Sequence, residues 1–161
     1  MSTHLPNASN PDLDPQHLIP IVVGAHLRAE VGDRPLGNTL HRKILSWRPE
    51  DLEGEPLVPL VLTDLWYLNA RELMERPTIS IGHPEVNAVS AYFANRLPAA
   101  FVIQGVLQVQ LDVEYITLQA CIWGVDRQST ASGVSLFTER YLEPFLLAAH
   151  GLPTESRQPR P

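Results

Sequence analysis

The feature that most constrains this chain is Pro77-Thr-Ile-Ser-Ile-Gly-His-Pro-Glu-Val-Asn87, a short apolar strand that breaks at Gly82 and opens into a helix. Pro84 suits the first helical position, where the missing N–H would be an orphan donor and the fixed φ matches the helix. Strand, glycine turn and helix N-terminus together form a common ligand-binding geometry of α/β proteins. The pattern locates a site without naming its chemistry.

The pattern extends in both directions. Leu18-Ile-Pro-Ile-Val-Val23 is a compact apolar run ending at Gly24, as in a strand buried on both faces. Leu36, Leu40, Ile44 and Trp47 have helical spacing, with Asp33 as N-cap, Pro35 in the first turn and Arg48-Pro49 as the stop. A second apolar run, 57–62, closes at Thr63-Asp64, and Asn69 with Glu72 has capping-box spacing ahead of a short helix over 70–75. After the strand 78–81, Val86, Val89, Phe93 and Leu97 share a helix face that stops at Pro98.

The period then changes from helical to alternating. Leu107, Val109, Leu111 and Val113 alternate with polar residues, as do Ile116, Leu118, Ala120 and Ile122, which predicts an antiparallel hairpin of strands 107–113 and 115–123. Ser129 or Thr130 caps a last helix through Val134, Phe137, Leu142 and Leu146, kinked near Pro144 and ended at Gly151. The expected fold is a single three-layer α/β domain over residues 18–151, with a mostly parallel sheet and an antiparallel hairpin in the order β-α-β-α-β-α-β-β-α. Proline- and asparagine-rich residues 1–17 and the stretch 152–161 read as flexible tails.

A length of 161 residues suffices for one core. A formal charge of −6 without a basic cluster argues against nucleic-acid binding, which needs cations to displace phosphate counterions. The chain has no apolar run of membrane-spanning length and no secretory signal at its start, so the expected location is cytoplasmic and free of membrane. The single cysteine, Cys121, supports neither an internal disulfide framework nor a cysteine-built zinc site.

Two stretches, Ile81-Gly-His-Pro-Glu-Val-Asn87 and Trp123-Gly-Val-Asp-Arg-Gln-Ser-Thr130, resemble elements of the α/β domains of archaeal surface-layer proteins. In those domains a strand runs into Gly-Gly-Pro, two variable residues and Asn, and another ends in Ala-Gly with an Asp two residues on and a Thr-rich helix start. Here Gly82-His83 replaces the Gly-Gly pair and Trp123 the alanine. The resemblance implies an α/β fold and an assembly role. It implies no catalytic residues.

Residues just past the ends of parallel strands share one sheet edge, which groups His26, Asp64, Gly82, His83 and Asn87 as candidate ligand contacts. Two imidazoles, a carboxylate and an amide suit a polar ligand, a metal, or a base with its orienting acid. The same residues also serve as helix caps and loop acceptors. Ser129, Thr130, Ser132 and Gly133 form either a phosphate cradle or a capping cluster. No complete GxxxxGK[ST] or GxGxxG loop occurs, and Ser80 lies inside a strand rather than on a nucleophile elbow. Cys121, on an alternating strand, reads as a quiet thiol.

If 107–113 returns parallel to 78–81, the hairpin sends 115–123 back the opposite way. Asp126, Ser129 and Thr130 are then expected at the far edge, away from His83. The leading expectation is a small polar or anionic ligand bound beside His83. A structural or interaction protein assembling through its hairpin edge, and a metal-assisted hydrolase using His26, Asp64 and His83, are the alternatives. No particular cofactor is indicated. Trp123, Tyr115 and Val113 on one incompletely covered face predict a homo-oligomer.

Overall fold

The computed structural model describes residues 14–154, so the tail expectation for 1–13 and 155–161 falls outside it. Pro15–His17, within the segment read as tail, forms a 3-10 turn that leads into the first strand.

Described residues form β1 (Leu18–Val23), α1 (Leu27–Gly32), α2 (Arg34–Leu45), β2 (Val58–Thr63), α3 (Asp64–Leu68), α4 (Arg71–Met74), β3 (Thr78–Ile81), α5 (Ala88–Ala94), β4 (Ala99–Ile103), β5 (Leu107–Leu111), β6 (Gln119–Gly124), α6 (Arg127–Arg140) and α7 (Leu142–Ala149). One six-stranded sheet has the order β2-β1-β3-β6-β5-β4. β1 pairs in parallel with β2 and β3, as the apolar runs predict, and β3 pairs in parallel with β6. β5 runs antiparallel to both β6 and β4.

Alternation along the strands sends side chains to opposite faces. Ile19, Ile21 and Val23 of β1 pack with Leu40 and Ile44 of α2, Val134 and Phe137 of α6, and Phe145 and Leu146 of α7. Leu18 and Val22 pack with Tyr67 of α3, Leu73 of α4 and Val89 and Phe93 of α5. Each fully buried large apolar side chain contributes about 1.5–3 kcal/mol relative to exposure.

Several local expectations need correction. The run Ala99-Ala-Phe-Val-Ile103 is a strand that the sequence reading passed over. This extra strand reverses the direction of everything after it. The β5–β6 hairpin is antiparallel as expected, but β6 rather than β5 lies parallel to β3, so Gly124 and Asp126 share the edge of Gly82. Pro84 is not the first residue of a helix: residues 83–87 form a turn in which Val86 and Asn87 N–H donate to the His83 carbonyl, and α5 starts at Ala88 with Asn87 as its N-cap.

Other boundaries shift for local reasons. Asn69 is the C-cap of α3 and donates to the Leu65 carbonyl, while Ala70 precedes α4 without a side-chain cap, so no capping box forms there. Trp47 lies beyond the end of α2. α6 begins two residues before Ser129, capped by Asp126. The final helical stretch breaks at Tyr141, three residues before Pro144.

Candidate functional site

Four helix-leading corners meet at the edge formed by the ends of β1, β2, β3 and β6, and their hydrogen bonds fix how they sit together. Asp64, after β2, is buried and accepts from Ala25 N–H (3.0 Å), Leu65 N–H (2.8 Å) and Ala88 N–H (2.8 Å). One carboxylate thus ties the β1 corner to the start of α5. Asn87 is 1% exposed. Its Oδ1 accepts from Val89 and Ser90 N–H, and its amide donates to the Val22 and Ile81 carbonyls and to Ser80 Oγ. The N–H groups opening α5 therefore have internal acceptors.

Glycine makes the corners fit. A Cβ on Gly24 would collide with the Val86 carbonyl oxygen, so only glycine lets β1 pass so close to the turn after β3. Gly82, at φ +124°, adopts a backbone that L side chains rarely adopt, and a Cβ there would collide with Asp33 Oδ2. The corner after β6 is held by Asp126, whose carboxylate accepts from Ser129 N–H (2.8 Å) while Ser129 Oγ accepts from Asp126 N–H (3.0 Å). Thr130 Oγ1 accepts from Gly124 N–H and donates to the Asp126 carbonyl. Ser129 and Thr130 thus act as a capping cluster, and Asp126 occupies the start of α6 with its own carboxylate.

Between these corners lies a cleft of about 440 Å³. Leu27, Arg28, Val31, Gly32 and Asp33 form one wall, Gly124, Val125, Asp126, Arg127 and Thr130 the other, with His83 and Val86 between them. A Cβ on Gly32 would lie 3.7 Å from Arg127 Cγ, so the aliphatic stem of Arg127 lies over α1. β2 lies on one side of β1 and β3 on the other, so the chain reverses its direction of winding between β1 and β3. The cleft opens beside this switch point, where ligand sites of open α/β sheets collect.

The structure separates the sequence candidates. His83 lines the cleft and Gly82 lies against the Asp33 carboxylate, whereas Asp64 and Asn87 are engaged in loop and cap hydrogen bonds. His26 is exposed and caps α1, its Nδ1 accepting from Arg28 N–H at 3.1 Å. His83 Nδ1 accepts from Glu85 N–H at 3.0 Å, which places the proton of the neutral ring on Nε2. Its ring meets Trp123 edge-on at 5.0 Å. Among the described residues no three His, Cys, Asp or Glu side chains converge as a metal site. Cys121 is fully buried and its thiol is pushed up to about 12 by burial, as suits an inert thiol.

Asp33, read from sequence only as a helix cap, is the residue that the sequence reading missed as a site candidate. It stands at the N-cap position of α2, yet its side chain makes no cap hydrogen bond. Its carboxylate lies over Gly82 instead, 8% exposed, and burial raises it to about 6 against the opposing pull of Arg28. A carboxylate whose pKa burial shifts, set in a cleft, is a candidate functional group. Arg28 and Arg127 carried no sequence signal because α1 and the true direction of β6 were both unrecognised.

Among the described residues no helix is long and apolar enough to cross a membrane. The chain matches no protein-family model, and no curated protein is significantly similar to it.

Proposed function

We propose that this protein binds a small, polar, anion-bearing ligand in the cleft between the β1–α1 and β6–α6 corners, on a three-layer, Rossmann-like scaffold. The observation that carries the reading is the convergence of Arg28, Arg127, His83 and an uncapped, buried Asp33 on one concavity at the switch point of the sheet. Arg28 and Arg127 supply the positive charge for the anionic group, and His83 offers Nε2–H as a donor. Asp64, Asn87 and Gly82 hold the corners that shape the opening, and His26 fixes the start of α1. Asp126 and Glu85 bring negative charge to the rim, which favours one modest anionic group over a polyphosphate.

The test is a fragment screen by NMR, followed by His83→Ala. Ligands are expected to perturb the amides of Gly32, His83 and Val125, and the variant is expected to weaken binding several-fold with the fold intact. Binding mapped elsewhere, with His83→Ala changing only the melting temperature, makes His83 a turn cap and removes the reading.

The β5–β6 hairpin lies inside the sheet, between β3 and β4, and has no open edge for assembly. A second reading, assembly of identical copies through a sheet edge, is favoured instead by β4, an uncharged strand paired on one side only among the described residues. The resemblance to surface-layer domains points the same way. The two readings are compatible, since the open side of β4 is not part of the cleft wall.

A further inference from the structure

Asp33 is more than nine-tenths buried, and its carboxylate does not take up the capping role its position offers. Among the described residues no fully buried side-chain oxygen or nitrogen lacks a hydrogen-bond partner. The Asp33 oxygens, which make no side-chain cap bond, are therefore not sealed off, and the cleft that Asp33 lines is where they open, with the charge of Arg28 nearby. Burying a carboxylate without a dedicated donor is unfavourable, and Gly82, in a backbone conformation suited to glycine, leaves the space that the carboxylate fills. The cleft charges also balance, Arg28 and Arg127 against Asp33 and Asp126. Leu27, Val31 and Val125, which are 76%, 60% and 53% exposed, give it apolar walls.

We propose that Asp33 receives a primary ammonium group, so that the cleft selects small amphipathic zwitterions: ammonium at Asp33, carboxylate at Arg28 and Arg127, and an apolar body along Leu27, Val31 and Val125. The inference rests on the ligand-binding reading above and gives it a substrate class, amino-acid-like molecules. An ammonium supplies the charge-assisted donors that the carboxylate lacks. A simple anion leaves Asp33 unmatched, and a simple amine leaves the two guanidinium groups unmatched.

Three probes of nearly the same shape separate these contributions: L-phenylalanine, 3-phenylpropanoate without the amine, and 2-phenylethylamine without the carboxylate. Calorimetry and amide chemical-shift mapping at pH 7.5 are expected to show phenylalanine binding about tenfold tighter than 3-phenylpropanoate, the scale of one charge-assisted hydrogen bond. Asp33→Asn keeps the shape and is expected to erase that advantage, with 3-phenylpropanoate, relieved of a like charge, binding at least as tightly as before. Arg127→Gln is expected to weaken both carboxylates and spare 2-phenylethylamine. If 3-phenylpropanoate binds the cleft as tightly as phenylalanine, or Asp33→Asn keeps the preference, the ammonium assignment is overturned and the wider ligand reading survives. If none of the probes perturbs cleft amides at millimolar concentration, the zwitterion assignment falls, and the screen with unrelated fragments decides the wider reading.

Discussion

Asp33 and Gly82 work as a pair, because the glycine backbone leaves the space in which the carboxylate lies. Burial raises Asp33 from 3.8 to about 6 in the fold. Below pH 4 the group is protonated in both folded and unfolded chains and has no effect on the balance. Between pH 4 and 6 the unfolded chain ionises first, so stability is lost as pH rises, and above about 6 the loss is complete. Asp33→Asn is therefore expected to match the wild type near pH 4 and to exceed it by about 1–2 kcal/mol at pH 8, less than the full shift implies because the carboxylate opens to the cleft. Urea unfolding at the two pH values checks this. A variant that is less stable at pH 8 would show that the carboxylate serves the fold. A gain in stability on removing a group that binding needs is the usual mark of a functional residue.

At the scale of elements, the parallel strands were legible because β1, β2 and β3 are apolar runs closed by glycine or by Thr-Asp. β4 was not. Ala99–Ile103 follows the helix-stopping Pro98 without polar–apolar alternation, yet Phe101-Val102-Ile103 is aromatic and β-branched and Gly105, at φ +72°, turns the chain into β5, so the strand signal was present but short. One missed strand inverts the polarity of its successors, which is why Asp126, Ser129 and Thr130 are expected from sequence at the edge away from His83 and lie instead at the same edge. Strand order alone groups the strand-end residues at one edge, where the structure also has them, but periodicity cannot tell Asp64 and Asn87, turned inward to backbone N–H groups, from His83 at the cleft. Nor did it mark the link that fastens α7 to β2. His150 accepts from Leu57 N–H at 2.9 Å through Nε2, and its Nδ1 pairs with the Leu146 carbonyl at 2.7 Å. Both bonds together require the neutral ring, and burial, the largest influence on it, holds its pKa below 6.5. His150→Ala is expected to lose about 1–3 kcal/mol at pH 7.5. The wild type loses this stability as pH falls from 6.5 through the lowered pKa, so the gap between the two proteins narrows in acid. A gap independent of pH would assign the loss to packing on Trp47, whose ring lies 4.7 Å away.

The whole molecule carries a formal charge of −6, yet the chain from Leu97 to Leu111 has none. That stretch holds β4, the outermost strand at one end of the sheet, with Val102 39% and Ile103 45% exposed. The opposite edge strand, β2, contains Pro59, which lacks an N–H to offer a partner. An uncharged edge that pairs on one side only among the described residues is the kind that joins another strand, and a register irregularity between Ala99 and Phe101 leaves Phe101–Ile103 as its regular part. Two copies related by a two-fold axis would pair β4 antiparallel and join their six-stranded sheets, with each partner meeting an uncharged surface. Val113, by contrast, lies past β5, and the Trp123 indole donates to Gln110 Oε1 within its own sheet, so the face first expected to drive association is partly satisfied internally. Sedimentation across micromolar concentrations is expected to give twice the 17.9 kDa chain mass, and Val102→Lys, which sets like charges near the two-fold axis, is expected to give the single-chain mass with cleft binding retained. A wild type that stays at the single-chain mass up to high micromolar concentration shows that β4 ends the sheet rather than joining two.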